Sequence, residues 1–355
     1  MKECKLCTLP AKVPDADIDS RGVCRFCREY NTQDIGDDEA VRQERIADLE
    51  KALEDCRGQG DYDCLVPVSG GKDCLSLAYK LKVEYKLNVL AFTTNVNIPE
   101  IAWDNIRRAL KKLDIHHISF SPSNALYAKI FKYLLQNQEA RGAVYTISYV
   151  YAPLFEGDAI KTAMEKNIPL ILAGYSPGQP EPERMLYEFS RKLICETDWT
   201  PPGLRDSGLL TEAELANFFN PLSYPEGTQF PRYLAPYHAW EYNQDLIMKS
   251  VVENGLVKTS RHASPIYSNY PINWLLMYSD LKHFGYNPYH PEFSELIREG
   301  KASRMYWKIM TPIVNFMIKN KVLLGKDVTR SLEWLELDEK DLRINMPQGT
   351  YDPVF

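Results

Sequence analysis

Two groups of residues in this 355-residue chain have types and spacings suited to chemistry. The first is Ser69, Gly70, Gly71, Lys72, Asp73 and Cys74, within LVPVSGGKDCLSLAYKL. Paired glycines let a backbone bend and approach a ligand with no Cβ in the way. A helix starting just after them presents free N–H groups and the positive end of its dipole, a site for an anion, usually phosphate. Ser69 adds a hydroxyl, Lys72 a mobile charge and Asp73 a carboxylate for a divalent cation. The simpler alternative is a strand-to-helix turn with Asp73 as the N-cap. The second group is Cys4, Cys7, Cys24 and Cys27, two CxxC pairs sixteen residues apart. Each pair makes a tight knuckle, and two knuckles supply four thiolates to one tetrahedral zinc ion. Four thiolates leave no open position for water, so the expected role is structural, in a segment too short to fold on its own core. Disulfides and an iron–sulfur cluster are the alternatives for these cysteines. The remaining four, Cys56, Cys64, Cys74 and Cys195, are scattered.

Certain elements must position the loop. Leu65 to Val68 is a short apolar run that reads as a buried strand. Leu75, Ala78, Tyr79 and Leu81 follow at helical spacing, so a helix starts near Asp73 or Cys74. Strands at Asn88–Thr94, His116–Phe120 and Pro169–Ala173 then alternate with helices, including Ile98–Leu113. That alternation predicts an α/β fold, a parallel doubly wound sheet covered on both faces. Ligands bind such sheets at the carboxyl ends of strands, where strand order reverses. The rule selects the loops 69–74, 93–97 and 174–179. It places Thr93, Thr94 and Asn95 for hydrogen bonds to a ligand, Gly174 for close backbone approach and Gln179 for substrate contact. Strand-end capping and plain surface loop are the alternatives there.

Beyond Trp199 the alternation stops, and proline, tyrosine and tryptophan accumulate. Later segments read as helices, including Trp274–His283 and Tyr306–Lys321. The expected division is 1–36 for the zinc knuckles, 37–196 for the α/β domain and 197–355 for a mainly helical region serving substrate or partner. Net charge is −6, which weighs against a dedicated nucleic-acid binder, and 45% hydrophobic residues are enough for a real core. No run of eighteen apolar residues predicts a membrane span, and the start lacks the apolar core of a secretory signal, so a cytoplasmic protein is expected.

The order strand, SGGKDC, helix resembles the PP-loop, SGGxD[ST], of ATP pyrophosphatases, which cleave ATP between its α- and β-phosphates. The Walker pattern GxxxxGK[ST] does not occur here. Cys74 stands where serine is commoner, and its thiol is a weaker donor. The resemblance implies ATP and Mg²⁺, with Ser69, Gly70, Gly71, Lys72, Asp73, Cys74, Thr93, Thr94, Asn95 and Gly174 around the nucleotide. It also implies that Ser69, Lys72 and Asp73 act in catalysis. Such enzymes deliver ammonia or sulfur to an adenylated oxygen. As a whole the chain is similar to the N-acetyl sugar amidotransferases of surface-polysaccharide biosynthesis. The shared features are CKLC…GVCRFC, VPVSGGKD, TTNVNIPEIAWDNIRRALKKL and HFGYNPYHPEFSELIREGKASR. That likeness implies a nucleotide-sugar acceptor whose acetamido group becomes acetamidino, and a separate glutaminase subunit supplying ammonia. Arg298, Ser303 and Arg304 would then serve sugar nucleotide or partner, or be an ordinary helix end. The rival reading is a PP-loop sulfurtransferase acting on tRNA or a small molecule, with Cys74 and Cys195 as its candidate thiols.

Overall fold

A computed structural model describes residues 2–30, 34–177, 187–268 and 270–352. Its strands are β1 (Cys64–Pro67), β2 (Val89–Thr94), β3 (His116–Phe120), β4 (Gln138–Glu139), β5 (Leu170–Leu172), β6 (Arg232–Leu234) and β7 (Ile344–Met346). Five of them form a parallel sheet in the order β3-β2-β1-β5-β6, and β4 pairs with β7 apart from it. The longer helices are α1 (Asp34–Asp55), α2 (Lys72–Tyr79), α3 (Glu100–Leu113), α4 (Asn124–Gln136), α5 (Ala143–Glu165), α6 (Gln244–Glu253), α7 (Pro271–Phe284), α8 (His290–Arg298), α9 (Arg304–Asn320) and α10 (Lys326–Leu335).

Strand side chains alternate between faces, and here both faces are apolar. Leu65, Leu90, Phe92, Ile171 and Tyr233 pack against Ala159, Ile160 and Ala163 of α5. Val66, Ala91, Leu170, Leu172 and Leu234 pack on the opposite side with Leu75 and Ala78 of α2 and Ile106 and Ala109 of α3. Burial on two sides explains why these strands read as unbroken apolar runs. The expected doubly wound parallel sheet is therefore present.

α5 starts well before the segment YAPLFEGDAIKTAMEKN that reads as helical. Its first half, with Val144, Ile147 and Val150, belongs to a second core built with Phe131 of α4, Trp274 of α7 and Trp307 of α9. Its second half belongs to the sheet core, and Pro153 lies between the two. One helix thus ties the sheet to the helical region. β6 has no counterpart in the sequence reading. Its three residues sit between prolines and pair beside β5, where Tyr233 and Leu234 extend both faces. No helix among the described residues is long and apolar enough to cross a membrane.

Candidate active site

The chain runs from β1 outward through β2 to β3, then crosses back to lay β5 on the other side of β1. The loops after β1 and β5 part at that reversal, where parallel sheets bind ligands. Ser69–Cys74 is one of them, and Gly174 opens the other. The two approach so closely that a Cβ on Gly174 would lie 2.7 Å from the Cys74 nitrogen and 2.9 Å from its Cα. Gly70 holds φ +81°, and a Cβ there would collide with the Ala102 carbonyl. Glycine is required at both positions.

α2 begins at Lys72 with Gly71 as its cap, and no side chain caps it. Asp73 is therefore inside the first turn and is not the N-cap. The amide donors of this turn remain available for an anion. Lys72 is 5% exposed, and its ammonium is 2.6 Å from Asp73 Oδ2. Burial disfavours its charge, but Asp73 outweighs burial and holds the ammonium above its ordinary range. The Tyr242 hydroxyl donates to Asp73 Oδ1 at 3.2 Å, and Tyr237 donates to the Asp73 carbonyl at 3.1 Å. The Cys74 thiol donates to the Gly71 carbonyl at 3.2 Å, and burial pushes it up, away from the thiolate.

The loop opens into a cavity of about 450 Å³, within the usual range of small-molecule sites. Ser69, Gly71, Lys72, Asp73, Cys74, Thr94 and Gly174 all line it. Its far wall is aromatic and comes from the helices, with Phe131, Tyr151, Trp274 and Phe293. Thr93 and Asn95 are not in the lining. Thr93 is buried and donates to the Val68 carbonyl at 2.7 Å, while Asn95 donates to Ser121 at 3.1 Å. Both hold strand ends together. Thr94 donates to Asp158 at 3.2 Å, whose carboxyl is raised to about 6 by burial. Gln179 lies outside the described residues.

Three residues of this site are absent from the sequence reading. Tyr237 and Tyr242 belong to an aromatic-rich stretch that no spacing rule connects to the loop. Glu292, in the first turn of α8, faces the cavity and makes no hydrogen bond or ion pair among the described residues. Burial raises its carboxyl to about 8, with Lys72 opposing and Asp73 adding to the rise. A lone glutamate in an amphipathic segment carries no signal of this kind.

The sulfurs of Cys4, Cys7, Cys24 and Cys27 lie within 4.8 Å of one another, a donor set able to hold a metal ion. Cys4 and Cys27 are 3.8 Å apart, and Cys7 and Cys24 are 3.6 Å apart. The knuckles dock on the helical region. Thr8 meets His290 at 3.3 Å, and Arg298 lies 5.5 Å from the Phe26 ring centre. Arg304 donates to the Lys5 carbonyl at 2.5 Å, and Ser303 caps α9. Arg298, Ser303 and Arg304 therefore hold the knuckles and a helix end, and none of them lines the cavity. Cys195 packs at the edge of the sheet core, also outside the cavity lining.

No family model and no curated protein matches the chain. Solved structures do. A U34-tRNA thiolase from Methanococcus maripaludis, with its [4Fe-4S] cluster, aligns at 14% identity over 95% of this chain and 89% of its own, with a TM-score of 0.35. An NMN synthetase from Francisella tularensis aligns at 12% identity over 87% and 97%, with a TM-score of 0.33. An NH3-dependent NAD synthetase from Campylobacter jejuni aligns at 14% identity over 83% and 96%, with a TM-score of 0.32.

Proposed function

We propose that the chain is a PP-loop enzyme that adenylates the amide oxygen of an N-acetyl group on a nucleotide sugar and replaces it with nitrogen from ammonia. The observation that carries this reading is the uncapped start of α2, set with Ser69 and Lys72 at the strand-order reversal and opening into a partly aromatic cavity. The N–H groups of 70–74 and the Ser69 hydroxyl would take the β- and γ-phosphates of ATP, with the Lys72 charge neutralising them. Asp73 is the carboxylate to hold Mg²⁺, which when bound adds charge neutralisation on the leaving pyrophosphate. The acceptor's amide oxygen attacks the α-phosphorus, and the bond to pyrophosphate breaks. Ammonia then bonds to the activated carbon and sheds one proton, and AMP departs with the former amide oxygen. Glu292 also lines the cavity, and once ionised, as the pH passes about 8, it would receive that proton.

Two features favour nitrogen over sulfur. Cys74 is the cysteine that lines the cavity among the described residues, and its thiol is kept protonated by burial. Cys195 lies elsewhere. Persulfide chemistry needs an accessible thiolate. The nitrogen source in this reading is a separate glutaminase subunit. Zinc is the metal this reading assigns to the knuckles, supported by sulfur separations of 3.6 and 3.8 Å against about 3.8 Å for a tetrahedron with Zn–S bonds of about 2.3 Å. A cluster binding each thiolate to a different iron would spread them wider. The test is mass spectrometry of 2-acetamido nucleotide sugars incubated with the protein, ATP, Mg²⁺ and either ammonium or sulfide. Acceptor-dependent amidine in the ammonium arm supports the reading, and product only with sulfide overturns it.

A further inference from the structure

Asn105 of α3 stands behind the phosphate loop and is 1% exposed. Its Nδ2 donates to the Gly70 carbonyl and to the His262 carbonyl, each at 2.9 Å. Its Oδ1 is buried and has no hydrogen-bond partner. A buried acceptor left unsatisfied is costly, and a leucine of similar volume would fill the same space without that cost. The side chain is therefore held there for its two donated bonds. Exchanging its oxygen and nitrogen would set Oδ1 against two carbonyl oxygens, so the amide has one workable orientation. The bond to Gly70 also fixes Gly71. The carbonyl of Gly70 and the N–H of Gly71 belong to one planar peptide unit and point in opposite directions. Among the described residues none of α3 lines the main cavity, whereas Gly71 does. Holding the carbonyl toward α3 thus turns the Gly71 N–H to the cavity side, where it makes no hydrogen bond among the described residues. With glycine on both sides of this peptide, no Cβ hinders its rotation. A flipped unit would aim the Gly70 carbonyl at a bound anion instead.

We propose that Asn105 is the positioning residue that locks the 70–71 peptide with its N–H toward the phosphates. The proposal rests on the reading of 69–74 as the phosphate loop in the function proposed above. Asn105 does not line the cavity and acts through Gly70. Its bond to His262 sets the rotation of the amide and joins the lock to the segment that continues into Pro265 and Ile266 of the cavity wall. The phosphate loop and that wall are thereby held to one side chain of one helix. An N–H already aimed at the anion costs no reorganisation when ATP binds or pyrophosphate leaves.

The test uses inorganic pyrophosphate with Mg²⁺ as the probe, and AMP as the control that lacks the β- and γ-phosphates. Asn105→Leu keeps the volume and removes both donors, and Asn105→Ala is the second variant. In either, pyrophosphate should bind about 10- to 10²-fold more weakly, the loss expected for one hydrogen bond to a charged group. The AMP dissociation constant should stay near the wild-type value, and kcat/KM for ATP should fall with the pyrophosphate affinity. A folded variant with a lower melting temperature and unchanged pyrophosphate affinity makes Asn105 a packing residue and overturns the proposal. Equal weakening of pyrophosphate and AMP overturns it as well. Amide NMR of the wild-type chain tests the lock without any variant: saturating pyrophosphate should move the Gly71 N–H signal downfield, and an unmoved signal overturns it. A wild-type chain that binds neither pyrophosphate nor ATP overturns the phosphate-loop reading, and this inference with it.

Discussion

Replacing Gly174 with alanine tests whether the contact between the two loops sets the geometry of the site. Gly174 lacks the positive φ that strains L-residues, so the effect of a methyl group is purely steric. The new Cβ would lie 2.7 Å from the Cys74 nitrogen, whereas ordinary contact begins at 3.4 Å, so the strand end and the loop must separate by about 3.4 − 2.7 = 0.7 Å. The opposing atoms are backbone, and no side-chain rotation relieves them. Overpacking of this kind costs about 1–3 kcal/mol. A misplacement near 1 Å at reacting groups costs about 10²-fold, so kcat/KM for ATP should fall by about 10- to 10²-fold. Gly71→Ala is the informative contrast. Its Cβ would meet nothing nearer than the Ser69 hydroxyl at 3.7 Å, and its φ of −76° suits alanine. That variant should melt like the wild type yet bind ATP poorly, because its methyl projects where phosphate enters. Thermal melts combined with a pyrophosphate-release assay separate the two. A Gly174→Ala protein with wild-type melting and wild-type kcat/KM would refute the reasoning.

Three other outcomes are expected. Cys74→Ser and Cys195→Ser should each retain most of the activity, since neither thiol enters amidation; steady-state turnover checks this, and loss in either folded variant points to sulfur transfer. In the folded chain burial raises the Glu292 carboxyl to about 8, against its ordinary 4.5. Between those values the folded state binds more protons, so its stability falls as pH rises through the window. Glu292→Gln should lack this slope and melt higher than the wild type at pH 8, while losing the rise in amidation rate near pH 8 (Lys72, Asp73 and Glu295 are the charges facing the group). Metal analysis should find about one zinc per chain in colourless protein, and chelation should lower the melting temperature.

The sheet was legible because its inner strands β1, β2 and β5 are buried on two sides and bounded by glycine or polar turns. The loop was legible because SGGKDC places its glycines, lysine and carboxylate in one contiguous stretch. β6 was not, since three residues between prolines carry no periodicity, and they become a strand only where β5 offers an edge. The first half of α5 was obscured because AVYTISYV is apolar all round and shows no amphipathic stripe. Thr93 and Asn95 illustrate the limit of the strand-end rule: they sit at the correct edge, but one turns to Val68 and the other to Ser121. Tyr242 and Glu292 reach the loop from about 170 and 220 residues away. Such contacts arise from tertiary packing and leave no local pattern.

The central claim is that ATP is spent by adenylating the acceptor's amide oxygen. The most direct measurement follows oxygen-18 placed in the acetamido carbonyl of the acceptor, with ATP, Mg²⁺ and ammonium present. The account predicts AMP carrying one atom of the label, together with unlabelled pyrophosphate. ADP as the nucleotide product, or AMP without the label, would contradict it.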